Sequence, residues 1–197
     1  MRMRRSFAAL LSAALLGLPG AGWAQTAPQP DPPIDLIATL NTVCVAADGD
    51  RARTAALAAE AGFSPMPAGA VPRLRNSSET AGFMRSNATD MAIVMTGKMT
   101  RRVGGETLVM EFCGVSARPT DHRALDTVLR QRMGFAPVRS GGNELYAWLQ
   151  MPEGRAPARS LTDAEFLAMA ETGQMQMVGL DRSGRGSTLI YFLPRLD

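Results

Sequence analysis

Glu106–Arg118, E-T-L-V-M-E-F-C-G-V-S-A-R, decides the fold of this chain. Leu108, Met110 and Phe112 alternate with Val109, Glu111, Cys113 and Val115, the two-residue period of a β-strand. Both sets are largely apolar. The strand is therefore predicted to be central, with helices over at least one of its faces. Immediately upstream, Met91–Gly97 reads as a second strand. Arg101-Arg102-Val103-Gly104-Gly105 reads as the turn that folds the two into a hairpin.

Working back toward the N-terminus, Gly82 and Pro65, Pro67 and Pro72 mark residues 64–90 as loop, with a short edge strand near Phe83. A loop of that length in a compact domain signals either an unread element or a functional segment. Residues 51–61 are rich in helix formers and end at Gly62, with Asp50 in the capping position. Leu36, Ile37, Leu40, Val43, Cys44 and Ala47 fall at helical spacing and predict a helix over 34–47 with Cys44 turned inward.

Working forward, Thr120 is the expected cap of a helix over 121–133. Its buried stripe would be Ala124, Leu125, Val128 and Leu129, and Gly134 would end it. Leu145–Met151 reads as strand, with Tyr146 and Trp148 on one face, and Pro152–Ser160 as loop. Thr162 and Glu165 form a capping box, and Leu161 with Phe166 has the spacing of a hydrophobic staple, so a helix runs from there to Gly173. Met175–Leu180 and Ser187–Leu193 read as strands joined by D-R-S-G-R-G. Together these elements predict an α+β fold: a mostly antiparallel sheet of about five strands with three to four helices packed on it.

Two stretches are alike. Cys44 precedes a helix that ends Gly62-Phe63-Ser64-Pro65, and Cys113 precedes one that ends Gly134-Phe135-Ala136-Pro137. The pattern fits an internal duplication of one α/β unit, and it also fits chance recurrence of glycine after a helix. On these residues the chain resembles a loose set of small exported bacterial proteins. They carry a cysteine, a short Ala-rich helix and a Gly-aromatic ending, and they bring no activity to transfer.

The first residues read as an address. Arg2, Arg4 and Arg5 are followed by an apolar run, Phe7–Leu18, and by small residues at Gly22 and Ala24. That order is a secretory signal peptide with cleavage near Ala24. Residues 25–33, Q-T-A-P-Q-P-D-P-P, form a Pro-rich leader, and residues 34–197 a single domain. Cleavage removes the whole formal charge of +3, because the 21 basic side chains less those three arginines equal the 18 acidic ones. A neutral mature chain gives no footprint for nucleic acid, and no later segment is long and apolar enough to span a membrane. Twenty of the basic residues are Arg and one is Lys, a bias of GC-rich bacterial genomes, so the expected compartment is the periplasm. An oxidising compartment and a single pair of cysteines predict a Cys44–Cys113 disulfide.

Candidate chemistry is sparse. His122 is the only histidine, with Asp121, Asp126 and Ser116 near it in sequence, but no G-x-S-x-G elbow is present. A hydrolase built on His122 is the weakest reading. One His and two distant Cys do not make a zinc site. Met91, Met95 and Met99 recur every four residues, and Met175 and Met177 flank Gln176. Their soft thioethers suit Cu(I), while the same residues suit an irregular core. Glu111 stands alone in mid-strand. Ser183–Ser187 is glycine-rich but lacks the Lys and the following helix of a phosphate-binding loop. No catalytic residue, metal-ligand set or cofactor is assigned. The expectation is an exported, non-enzymatic protein, an envelope accessory or a binding module for a protein or small molecule, with a Met-based Cu(I)-binding periplasmic protein as the alternative.

Overall fold

Gly104 and Gly105, with φ of 58° and 91°, turn the chain between two strands of thirteen residues each. Consecutive positive φ values match the twist of a tight two-residue hairpin, which is why glycine occupies both positions. The structure, a computed structural model, describes residues 34–72, 74–140, 143–158, 161–183 and 186–195. The expected signal peptide and leader, residues 1–33, lie outside the described residues, as do Gly184 and Arg185. The described residues belong to one compact unit, Pro32–Asp197.

The first helix, α1, spans Leu36–Thr39 and continues as a wider π-helical turn, Leu40–Val45. Asp35 caps it, accepting from the N–H groups of Ile37 and Ala38. Leu36, Ile37, Leu40, Val43, Cys44 and Ala47 are all buried, as their spacing predicts. Helix α2 spans Arg51–Glu60 and is capped by Asp50. Strands β1 (Ser64–Pro65), β2 (Ser77–Ser86), β3 (Met91–Val103) and β4 (Glu106–Arg118) follow. Then come α3 (His122–Met133), β5 (Val138–Ser140), β6 (Asn143–Met151), β7 (Gly154–Pro157), α4 (Asp163–Glu171), β8 (Met175–Ser183) and β9 (Gly186–Arg195).

The result is a mixed α/β fold with one antiparallel sheet, ordered β1-β2-β3-β4-β9-β8-β6-β5, and β7 paired beside β5 on β6. Nine strands among the described residues correct the expected five. The additional ones are short or polar: β1, β5 and β7 have two to four residues, and β2 carries Ser, Glu and Thr, so none shows clear apolar alternation. The segment 64–90 thus holds β1 and the ten-residue β2 where only a short edge strand near Phe83 is expected, and 152–160 contains a strand as well. The turn expected over 101–105 shrinks to two residues, because β3 runs on through Arg101 and Arg102.

Helix α3 needs two corrections. Its cap is Asp121, which accepts from the N–H groups of Arg123 and Ala124, while Thr120 bonds to Ala117 and Ser187. Of the stripe expected on it, only Leu129 is fully buried, and Ala124 and Val128 are exposed. The capping box of α4 is formed as predicted.

A helix, Gly-Phe, a short edge strand and a three-stranded meander occur twice in this order. The first set is α2 and β1–β4. The second is α3, β5, β6, β8 and β9, with β7 and α4 inserted. The cysteines do not share this correspondence, since Cys44 lies in a helical turn and Cys113 in β4. Both helices lie on the same sheet face, where Val94, Cys113, Val115, Tyr146, Trp148, Val178, Leu189 and Tyr191 form the main core with α1. Cys44 and Cys113 sit at disulfide distance, with Cα atoms 5.3 Å apart, and tie α1 to the central strand.

Candidate functional site

The other face of the sheet is the one set by Leu108, Met110 and Phe112. Cross-strand register continues it from Gly97 through Phe112, Phe192 and Met177 to Ala147, five strands in a row. The adjacent row runs from Met95 through Gly114, Ile190 and Gly179 to Leu145. Met91, Met95 and Met99 share this face, as do Met175 and Met177, in keeping with their two-residue parity. Glycine at 97 and 179 leaves gaps that the rings of Phe112 and Phe192 cover. A Cβ built at Gly97 would lie 3.0 Å from the Phe112 ring, and one at Gly179 would lie 3.4 Å from the Phe192 ring.

This face is concave. Arg101 of β3 and Val138 of β5 are separated along the sheet by β4, β9, β8 and β6, yet they line one cavity. A flat sheet would hold them some 24 Å apart at roughly 4.8 Å per strand; only strong curling brings them together. Three cavities follow the hollow. The one beneath α4, of about 470 Å³, is lined by Ala147, Leu161, Phe166, Met175 and Met177. The next, of about 170 Å³, is lined by Met99, Met110, Met177, Ile190 and Phe192. The last, of about 350 Å³, lies against Leu74, Met91, Ile93 and Met95. The first two share Arg101, Leu145 and Met177, and the last two share Asp181 and Ile190, so they form one trough. Volumes of about 300–1,000 Å³ and apolar walls are usual for small-molecule sites, and the mouths of curled sheets are a common place for them.

Helix α4 closes one end. Leu161, Phe166, Met169 and Ala170 pack on Leu108, Met110 and Met175, and Asp163 fastens the helix to the β3–β4 turn by accepting from Gly104 N–H at 3.0 Å. Arg101 and Arg102 stand exposed beside it.

The structure separates the remaining candidates from this site. His122 Nδ1 lies 3.1 Å from Ser187 Oγ, and a cavity of about 440 Å³ joins His122 to Thr120, Asp121 and Asp126. Ser187 is wholly buried and is also bonded by Thr120. Asp121 is engaged as a cap and Asp126 with Arg130, and Ser116 bonds Thr188. The cluster brings an imidazole, a carboxylate and a hydroxyl together, but the serine oxygen is sealed from any substrate. It fastens α3 to β9.

Arg130 also pairs with Glu144 of β6. Burial tends to raise the Asp126 carboxyl, but hydrogen bonding with Glu144 and Arg130 outweighs it and holds that group low. Burial and the neighbouring Asp126 push Glu144 up. Tyr146, buried behind them, is pushed up to about 12, chiefly by burial. Glu111 is half-buried on the helix-covered face, opposite Lys98 in the ladder, with no second carboxylate assigned to it.

Among the described residues, no group of three or more His, Cys, Asp or Glu side chains is placed to hold a metal, and no helix is long and apolar enough to cross a membrane. Of the trough, the sequence signalled the methionines of β3 and β8. It did not signal Met110, Ile190 and Phe192 as their partners, because that depends on strand pairing. Comparisons with protein-family models, with curated proteins and with solved structures find no match to the chain.

Proposed function

We propose that the chain is an exported, periplasmic binding module that performs no chemistry of its own and takes an apolar ligand in the concave trough. An envelope accessory role would use the same site. The single observation behind the binding reading is the run of three contiguous cavities along one curled sheet face, apolar along the methionines and Phe192 and charged at the rims. Methionine, unbranched and polarizable, suits walls that must adapt to a ligand. Support for export comes from the basic, apolar and small-residue order of residues 2–24, and from a cysteine pair at disulfide distance. Mass spectrometry of periplasmic protein should then give an N-terminus at Gln25. An intact Met1 would contradict export.

Binding is tested with N-phenyl-1-naphthylamine, whose emission rises in apolar surroundings. The wild-type chain should enhance it saturably. Leu145→Lys, which puts a charge at the junction of two cavities from a half-buried position, should abolish the enhancement while the far-ultraviolet circular dichroism stays native. No enhancement by folded wild-type protein would contradict the reading.

A second reading, a Cu(I)-binding protein, rests on Met99, Met110 and Met177 lining one cavity. Thioethers would act there without a thiolate or imidazole, which makes for a modest site. We expect Cu(I) to be lost to a strong chelator. A one-to-one complex that survives such competition would favour the copper reading.

A further inference from the structure

We infer that the occupant of the trough is a single-chain amphiphile with an anionic head group, its tail along Met177, Phe192 and Ile190 and its head at Arg101 and Arg102; this rests on the binding reading above. Two observations select it.

The first concerns what the floor can offer. Strands β3, β4, β9, β8 and β6 are all interior to the sheet, so their backbone groups are already paired with neighbouring strands. An extended polypeptide laid in the trough would find no edge to pair with and would bury its own N–H and C=O groups unsatisfied, at a cost of roughly 1–3 kcal/mol each. An acyl tail has no such groups. Its length also suits the trough, which follows β8 from Met175 to Asp181, about 20 Å at roughly 3.4 Å per residue.

The second concerns charge. Arg101 lines both cavities at the α4 end, and Arg102 stands beside it. Neither forms an ion pair among the described residues, whereas Arg51, Lys98 and Arg130 do. The other charged groups around the trough do not cancel this end. Asp163 lines the same cavity and keeps its charge while accepting from Gly104 N–H, as Arg102 keeps its own while donating to the Gly105 carbonyl, so this end is left with one positive charge in excess. Glu144 pairs with Arg130. Asp181 lies at the junction with the third cavity, and Arg118 lines that cavity. A carboxylate, sulfate or phosphate head thus meets an excess of one positive charge at the α4 end, and a quaternary ammonium head is disfavoured there.

The experiment is calorimetric titration of the exported chain with dodecanoate and with dodecyltrimethylammonium, both below micelle formation. The same is done for the double variant R101E/R102E, whose positions are exposed and leave the core untouched. Dodecanoate should bind once per chain, displace N-phenyl-1-naphthylamine, and bind more tightly than the ammonium probe. The double variant should erode that preference by about three- to tenfold. Equal binding of both probes, or a preference unchanged in the variant, would overturn the head assignment while leaving the apolar-ligand reading intact. Dodecanoate binding that does not displace the fluorophore would place it elsewhere and overturn the inference. Failure of both amphiphiles and of the fluorophore would remove the binding reading itself.

Discussion

Gly97 carries no side chain because Phe112 needs the space. A methyl group there would come within 2.8 Å of the Ser78 carbonyl oxygen as well as 3.0 Å of the ring. Since the carbonyl is backbone, only the ring can give way, and the ring is part of the trough floor. Gly97→Ala should therefore lower stability in urea by about 1–3 kcal/mol, as overpacking of a core does, and weaken fluorophore binding with it. Wild-type stability in the variant would mean that the Phe112 ring is not seated on Gly97. The same residue shows what local sequence conceals. The alternation of Leu108, Met110 and Phe112 is visible in one strand, but the partner over which Phe112 lies comes from register, which no short stretch states. His122 makes the opposite point. Its neighbours in sequence invited a triad, and the hydroxyl that meets it, Ser187, comes from a strand 65 residues away.

Among the elements, α4 was the most legible and has the most direct bearing on the trough. Its capping box is written in four residues, and its staple residues Leu161 and Phe166 both pack into the cluster beneath it. The Thr162 backbone N–H, and then its hydroxyl, donate to Glu165 and hold that carboxyl below its usual value of 4.5. A depressed folded pKa means that the contribution is complete above the unfolded value and is lost as pH falls through the folded one. The docking of α4 should therefore loosen below about pH 4.5. Thr162→Ala should cost about 1 kcal/mol of stability at neutral pH and lessen that acid dependence, because the hydroxyl is lost while the backbone N–H, the larger cause, stays. Thermal melts of both proteins from pH 3 to 7 check this, and parallel profiles would contradict it. Strand β2 was the least legible element. Ser77–Ser86 has polar residues on both faces and glycine at 82, and its membership in the sheet is decided by its pairing with β3 rather than by its own pattern.

For the whole molecule, the Cys44–Cys113 pair joins the first helix to the middle of the sheet across 69 residues of chain. In the chain-entropy picture, closing a loop of about that length stabilises a fold by roughly 4 kcal/mol. A thiol count on denatured, unreduced protein should find none free. Cys44→Ser and Cys113→Ser should lower the melting temperature alike, with the double variant no worse than either. That pairing was legible because only two cysteines exist and both lie on inward stripes. Curvature was not. Arg101 and Val138 converge only through the accumulated bend of several paired strands, and the trough exists because of it. The central claim, that this concave face is the binding site, is tested most directly by methionine methyl NMR. Spectra of the ¹³C-methyl-labelled chain are compared before and after addition of N-phenyl-1-naphthylamine. Shifts should concentrate on Met99, Met110 and Met177 and leave Met84, Met133 and Met151 unmoved. Shifts centred on Met84, Met133 or Met151, with the trough methionines unmoved, would contradict the claim.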